Sequence, residues 1–305
     1  MNEFYAADPT CCITSQELRL LLMYFGPFAG RYLAEYPSDW TGRLEACFRE
    51  ARDVERARLT TLIRRARESA AILRRQHLPW QESENWLQNA RRLALSNPPV
   101  FHGLIAREGL DVDLADGVYE PGDERIAPTA DERIVATPEE YVRTSRTLLM
   151  ISHELHFIDP YLNLLSRDGL DVLSMMFSVA GKGKCRNFVM WARHSALLRV
   201  GSHQDLVANI RSALEKLVQS TNLDSGTRVE LRMVRDEDRT TKMHDRYLLS
   251  IKGGIRFEHG FHKLPKGRMA HVAPIGRAAF ESLLPIYFTN QNDFSLVEAI
   301  VLNVE

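Results

Sequence analysis

The chain has 305 residues, 45% of them apolar and 26% charged, and a net charge of −1. That is the composition of a globular protein with one large domain or two ordinary ones, and it argues against a strongly basic protein that coats DNA, while leaving room for local basic patches. No apolar run approaches membrane-spanning length, no signal peptide opens the chain, and Cys11, Cys12, Cys47 and Cys185 lack metal-ligand spacing; a cytoplasmic protein with reduced thiols, and with no metal or cofactor, is expected.

Residues 1–12 carry no periodic pattern. The spacing of Leu18, Leu21 and Leu22 predicts a short helix between Thr14 and Tyr24. Pro37-Ser38-Asp39 then starts a long amphipathic helix that runs to about Arg75, with Ser38 as its cap. Its apolar stripe includes Leu44, Phe48, Leu62 and Leu73, and its other face is rich in arginine. Interspersed glutamates neutralise part of that charge, so the face is either a solvated surface or a surface for nucleic acid or for a partner protein through Arg56, Arg64, Arg65 and Arg67. A further helix, capped by Ser83, ends at Asn97-Pro98-Pro99. Trp40, Trp80 and Trp86 serve most simply as packing anchors. Residues 1–110 thus form a helical N-terminal region.

Residues 111–136 are acidic and punctuated by Gly117, Pro121, Gly122 and Pro128, which predicts an inter-domain connection. From residue 137 to 305 the pattern is α/β: a mixed sheet covered by helices. Thr137-Pro138-Glu139-Glu140 is a capping-box start, and strands are expected at Glu154–Ile158, Arg186–Trp191 and Arg228–Val234. Helices are expected at Leu170–Val179, Asp205–Val218 and Pro274–Phe288, the last kinked or broken by Pro285; Ser295–Leu302 fits helix or strand.

The stretch Lys242–Phe261 concentrates the chemistry. Gly253-Gly254 reads as a two-residue hairpin turn between β-prone runs. That turn sets Leu248 opposite His259, so His259 shares one surface with His244 and Arg246. Two imidazoles and a guanidinium on one surface suit phosphate binding and proton exchange. Asp159, at a strand end, is placed to orient His244 or Arg246, or simply to form a turn before Pro160. Lys182, Lys184, Arg186 and Arg193 flank the second strand as phosphate or nucleic-acid contacts, or as solvated loop residues. The GKGK run lacks the P-loop pattern.

Asp159-Pro160-Tyr161 at one strand end, and His244-Asp245-Arg246 before a glycine-marked hairpin, resemble the phospholipase D superfamily. The closer likeness is to the phospholipase D-like domain at the C-terminus of MIT-domain proteins and in bacterial defence-associated proteins. Arg246 stands where the enzymes carry Lys, Ile251 stands at the Asp position, Glu258-His259 replaces Gly-Ser, and Phe261 sits near the Asn. The resemblance implies phosphodiester cleavage of nucleic acid, as a component of anti-phage defence, with His244 as nucleophile and Arg246 as phosphate clamp. The acid would be His259, or a second His244 in a homodimer. The alternatives are an inactive module that binds nucleic acid, phospholipid headgroups or a partner protein, and a structural subunit of a larger complex.

Overall fold

The computed structural model describes residues 3–12, 14–75, 78–97, 99–106, 118–119, 131–197, 203–237, 239–240 and 242–305. The chain divides into two compact units, Asn2–Thr129 and Ala130–Glu305. Among the described residues no helix is long and apolar enough to cross a membrane.

The N-terminal unit is α/β rather than helical, which corrects the expectation for residues 1–110. Its elements are β1 (Glu3–Ala7), α1 (Ser15–Leu22), β2 (Arg31–Glu35), α2 (Trp40–Cys47), α3 (Asp53–Glu68), β3 (Ile72–Arg74), α4 (Trp86–Ala94), β4 (Gly103–Ile105) and β5 (Val118–Tyr119). The strands form one parallel sheet in the order β3-β2-β1-β4-β5. Side chains alternate along a strand, so Tyr5, Ala7 and Leu33 pack against α1, α2 and α3, while Ala6, Ala34 and Leu104 face α4. The long predicted helix is therefore two helices and a strand. Ala70 ends α3 in the left-handed region (φ 58°), and the Ala71 N–H donates to the Ala66 carbonyl at 2.7 Å. Glycine is the usual residue there, and an alanine gives no stop signal. The next helix is capped by Asn85 in a capping box with Gln88, not by Ser83.

Arg67 reaches across this unit to the buried Glu35 (2.5 Å) and to Thr41, and Arg74 meets the other oxygen of Glu35. Arg56 pairs with Asp53, and Arg64 with Glu68. Three of the four arginines expected to receive a partner are thus held by carboxylates of their own unit, and Arg65 differs.

The C-terminal unit holds β6 (Glu132–Val135), α5 (Pro138–Ile151), β7 (Glu154–Ile158), α6 (Arg167–Gly181), β8 (Asn187–Arg193), α7 (His194–Leu197), α8 (His203–Gln219), β9 (Arg228–Arg235), β10 (Tyr247–Ser250), β11 (Gly253–Phe257), β12 (Met269–Pro274), α9 (Arg277–Phe288) and β13 (Ser295–Asn303). Its sheet runs β13-β9-β8-β7-β10-β11-β12-β6, with β7, β8 and β9 parallel and every other pairing antiparallel. The expected mixed α/β sheet is present. Glu132–Val135, expected in the acidic connection, is an edge strand of this sheet; most of the remaining connection lies outside the described residues. One face buries Leu155, Phe157, Phe188, Met190 and Leu231 against α5, α6 and α8. The other face carries α9, whose Phe288 stacks on His156 at 4.1 Å and whose Tyr287 meets Trp191 edge-on. Pro285 lies inside α9 without ending it.

Candidate functional site

The hairpin differs from its expected form. Ser250 pairs with Gly253 and Leu248 with Ile255, so Ile251-Lys252 is the turn and both glycines belong to β11. A Cβ on Gly254 would come 2.5 Å from Leu249 Cδ2 and 2.7 Å from Ile275 Cδ1, so the glycine marks close packing, not a bend. Leu248 therefore faces Ile255, and not His259. The ladder ends at Tyr247–Arg256, with one further bond from the Phe257 N–H to the Arg246 carbonyl at 2.9 Å. His244 lies before the strand, not on it, and is exposed. Neither a hydrogen bond nor an ion pair engages its ring among the described residues.

Because β10 is antiparallel to both β7 and β11, the start of β10 and the ends of β7 and β11 lie on one edge of the sheet. In α/β sheets this carboxyl edge of the parallel strands is where ligands bind. Asp159 follows β7 there and is 2% exposed. Its Oδ1 accepts the Tyr161 N–H at 2.9 Å and lies 3.8 Å from Arg246 Nε; its Oδ2 accepts the Phe261 N–H at 3.2 Å. Burial pushes this carboxyl up, against the pull of the two N–H donors, Arg246 and His262. Asp159 is thus both turn former and partner of Arg246.

Arg246 donates from Nη1 to the Glu258 carbonyl at 3.1 Å and lies over the Tyr161 ring, 5.3 Å from its centroid. Of its five N–H groups, several remain for an incoming anion. Tyr161 is 53% exposed, and the Arg193 guanidinium also lies over it, at 5.8 Å.

The loop after β11 completes the edge. Phe261 is buried against Phe157 and Phe257, and the Tyr141 hydroxyl donates to the His262 carbonyl at 3.3 Å. These anchors hold His259 and His262 beside Arg246. His262 is lowered by burial first, raised by Asp159, and lowered again by His259 and Arg246. His259 lies 3.7 Å from its neighbour Glu258.

The four basic residues around the second strand do not act together. Arg193 is on the site edge, but its fork grips Asp236 (2.8 and 2.9 Å) and the Met243 carbonyl, so it braces the chain leading to His244. Burial opposes ionisation of Asp236, yet the Arg193 guanidinium and the Met243 N–H, which donates to Asp236 Oδ2 at 2.8 Å, hold its carboxyl below the usual range. Lys182, Lys184 and Arg186 precede β8 at the opposite edge, about 20 Å away at strand rise, and Arg186 pairs with Asp224. The expectation missed Tyr161, His262, Asp236 and Gly260 as site residues; the HGFH run at His259–His262 was the visible trace of two of them.

On the α9 face, His156 is buried between Glu154 (2.6 Å), Trp191 (3.2 Å) and Phe288. Burial lowers its imidazole, only partly offset by Glu154. His156 and His262 therefore refuse protons that the unfolded chain accepts below about 6.5, and stability falls as pH drops through that window. Melting temperatures at pH 7.5 and 5.5 are expected to differ, with the difference reduced in His156→Gln. An unchanged difference would remove His156 from this account.

No protein-family model and no curated protein sequence matches the chain. Among solved structures it is similar to TrmBL2, an archaeal chromatin protein whose structure is described as showing a novel mode of DNA binding, at 10% identity and a TM-score of 0.26. The match covers 53% of each chain, so the chain spans about half the length of that protein. A likeness at this level carries no argument about function.

Proposed function

We propose that the C-terminal unit is a phospholipase D-like module that holds the phosphodiester backbone of nucleic acid at the edge where β7 ends and β10 begins. The observation that carries this reading is Arg246: a partly exposed guanidinium positioned by buried Asp159 and the Glu258 carbonyl, with N–H groups to spare beside an exposed aromatic ring. A planar fork suits a phosphate, and a half-exposed Tyr161 offers a face on which a base can stack. Stacked bases contribute about 1–3 kcal/mol each, so Tyr161→Ala is expected to weaken binding of a labelled 20-nucleotide single strand roughly 5- to 150-fold. Unaltered affinity in that variant would take the strand off this edge.

Three histidines at the same edge, His244, His259 and His262, favour a second reading, cleavage. A nitrogen of His244 would attack phosphorus, the bond to the leaving oxygen would break, and His259 or His262 would protonate that oxygen. Water would then release the phosphate from His244. A homodimer that pairs two His244 rings would do the same. On this reading His244→Ala abolishes oligonucleotide cleavage in EDTA while leaving binding in place; cleavage that survives the change would leave the binding role alone.

A further inference from the structure

The N-terminal unit carries an open trough between α1 and α3. Leu20 lines it from α1 and Met23 from the C-cap of that helix, and Val54, Ala57 and Leu62 line it from α3. Leu20, Met23 and Val54 are 49%, 70% and 63% exposed, an apolar row left open to water. Arg19, Arg58 and Arg65 rim it. Arg58 has Glu55 at 3.6 Å, whereas Arg19 and Arg65 meet no carboxylate among the described residues. On α3, Arg56, Arg64 and Arg67 are all paired, so the unmatched charge falls beside the apolar row.

We propose that this trough receives an amphipathic helix of a partner protein, with carboxylates flanking its apolar stripe. The trough is walled by two helices whose backbone groups are satisfied internally, so it offers no sheet edge for an added strand. Recognition must come from side chains, and α3, at 16 residues or about 24 Å, matches four turns of a docked helix. Arg19 and Arg65, both exposed, supply the charge preference, because guanidinium groups that a docked helix would partly cover favour carboxylates over cations at the same place.

Two 18-residue peptides test this against the full chain. Both carry leucines at three- and four-residue steps; one has glutamates beside the stripe and the other has lysines. The glutamate peptide is expected to bind at least tenfold more tightly. Met23→Asp and Val54→Asp alter exposed positions only, and each is expected to weaken binding at least tenfold with an unchanged circular dichroism spectrum. Arg19→Glu combined with Arg65→Glu is expected to reverse the peptide preference. Failure of the glutamate peptide to bind, or equal binding of the two peptides, overturns the proposal. Sedimentation that shows self-association lost in Met23→Asp would assign the trough to a second copy instead. Trough-dependent binding to phosphatidylglycerol vesicles, without peptide discrimination, would assign it to a membrane.

Discussion

Gly260→Ala is expected to destabilise the C-terminal unit by about 2–4 kcal/mol, a loss of roughly 5–15 °C in melting temperature. Gly260 has φ +77°, in the left-handed region, and an added Cβ would lie 2.1 Å from Asp159 Oδ2 and 2.9 Å from its Cγ. Asp159 has little room to yield, because one oxygen accepts the Tyr161 N–H and the other the Phe261 N–H. Relief of the clash would break one of these bonds or lift Phe261 out of the core. Gly267→Ala is the matched control: its φ is +85°, but nothing lies within 4 Å of the added carbon, so only the backbone strain of about 1 kcal/mol applies. Equal melting temperatures for the two variants would show that Gly260 does not lock Asp159.

Arg246→Gln is expected to lower affinity for a single-stranded oligonucleotide about 10- to 150-fold, since hydrogen bonds to charged groups contribute about 1.5–3 kcal/mol. The fold is expected to survive, because Asp159 keeps both backbone N–H donors when Arg246 is removed. Arg246→Lys retains the charge but not the planar fork that can bond the Glu258 carbonyl and a phosphate at once, so only part of the affinity returns. Calorimetric titration of the three proteins measures this directly. Full recovery in the lysine variant would mean that charge alone, without fork geometry, explains the contact.

The strands of the C-terminal core were legible because Glu154–Ile158 sets Leu155, Phe157 and Ile158 close together and Arg228–Arg235 alternates Val229, Leu231 and Met233 with charged residues. The N-terminal sheet was not. Glu3–Ala7 mixes an acid, two aromatics and two alanines, and Ile72–Arg74 has three residues, too short for a period to show. The hairpin misled for a different reason. Glycine marks either a bend or a place where another side chain needs the space, and Leu249 and Ile275 fill the space beside Gly254. Moving the turn by two residues removed the expected facing of Leu248 and His259, yet it left His244, Arg246 and His259 near the same sheet edge. Arg246 and Asp159 were visible as residues of the right type at strand ends. The duties of Gly260, Asp236 and His262 depend on contacts across 43 to 103 positions of chain, as in the bond from Phe261 to Asp159, and no local pattern carries them.

The salt dependence of oligonucleotide binding reads out the phosphate contact at Arg246 without intermediaries. If Arg246 neutralises one backbone phosphate, the slope of log affinity against log salt is expected to be shallower in Arg246→Gln than in the wild-type chain by about one, or about 0.7 for a single strand. Parallel slopes in the two proteins, with affinity otherwise lost equally at every salt concentration, would contradict a phosphate contact at Arg246.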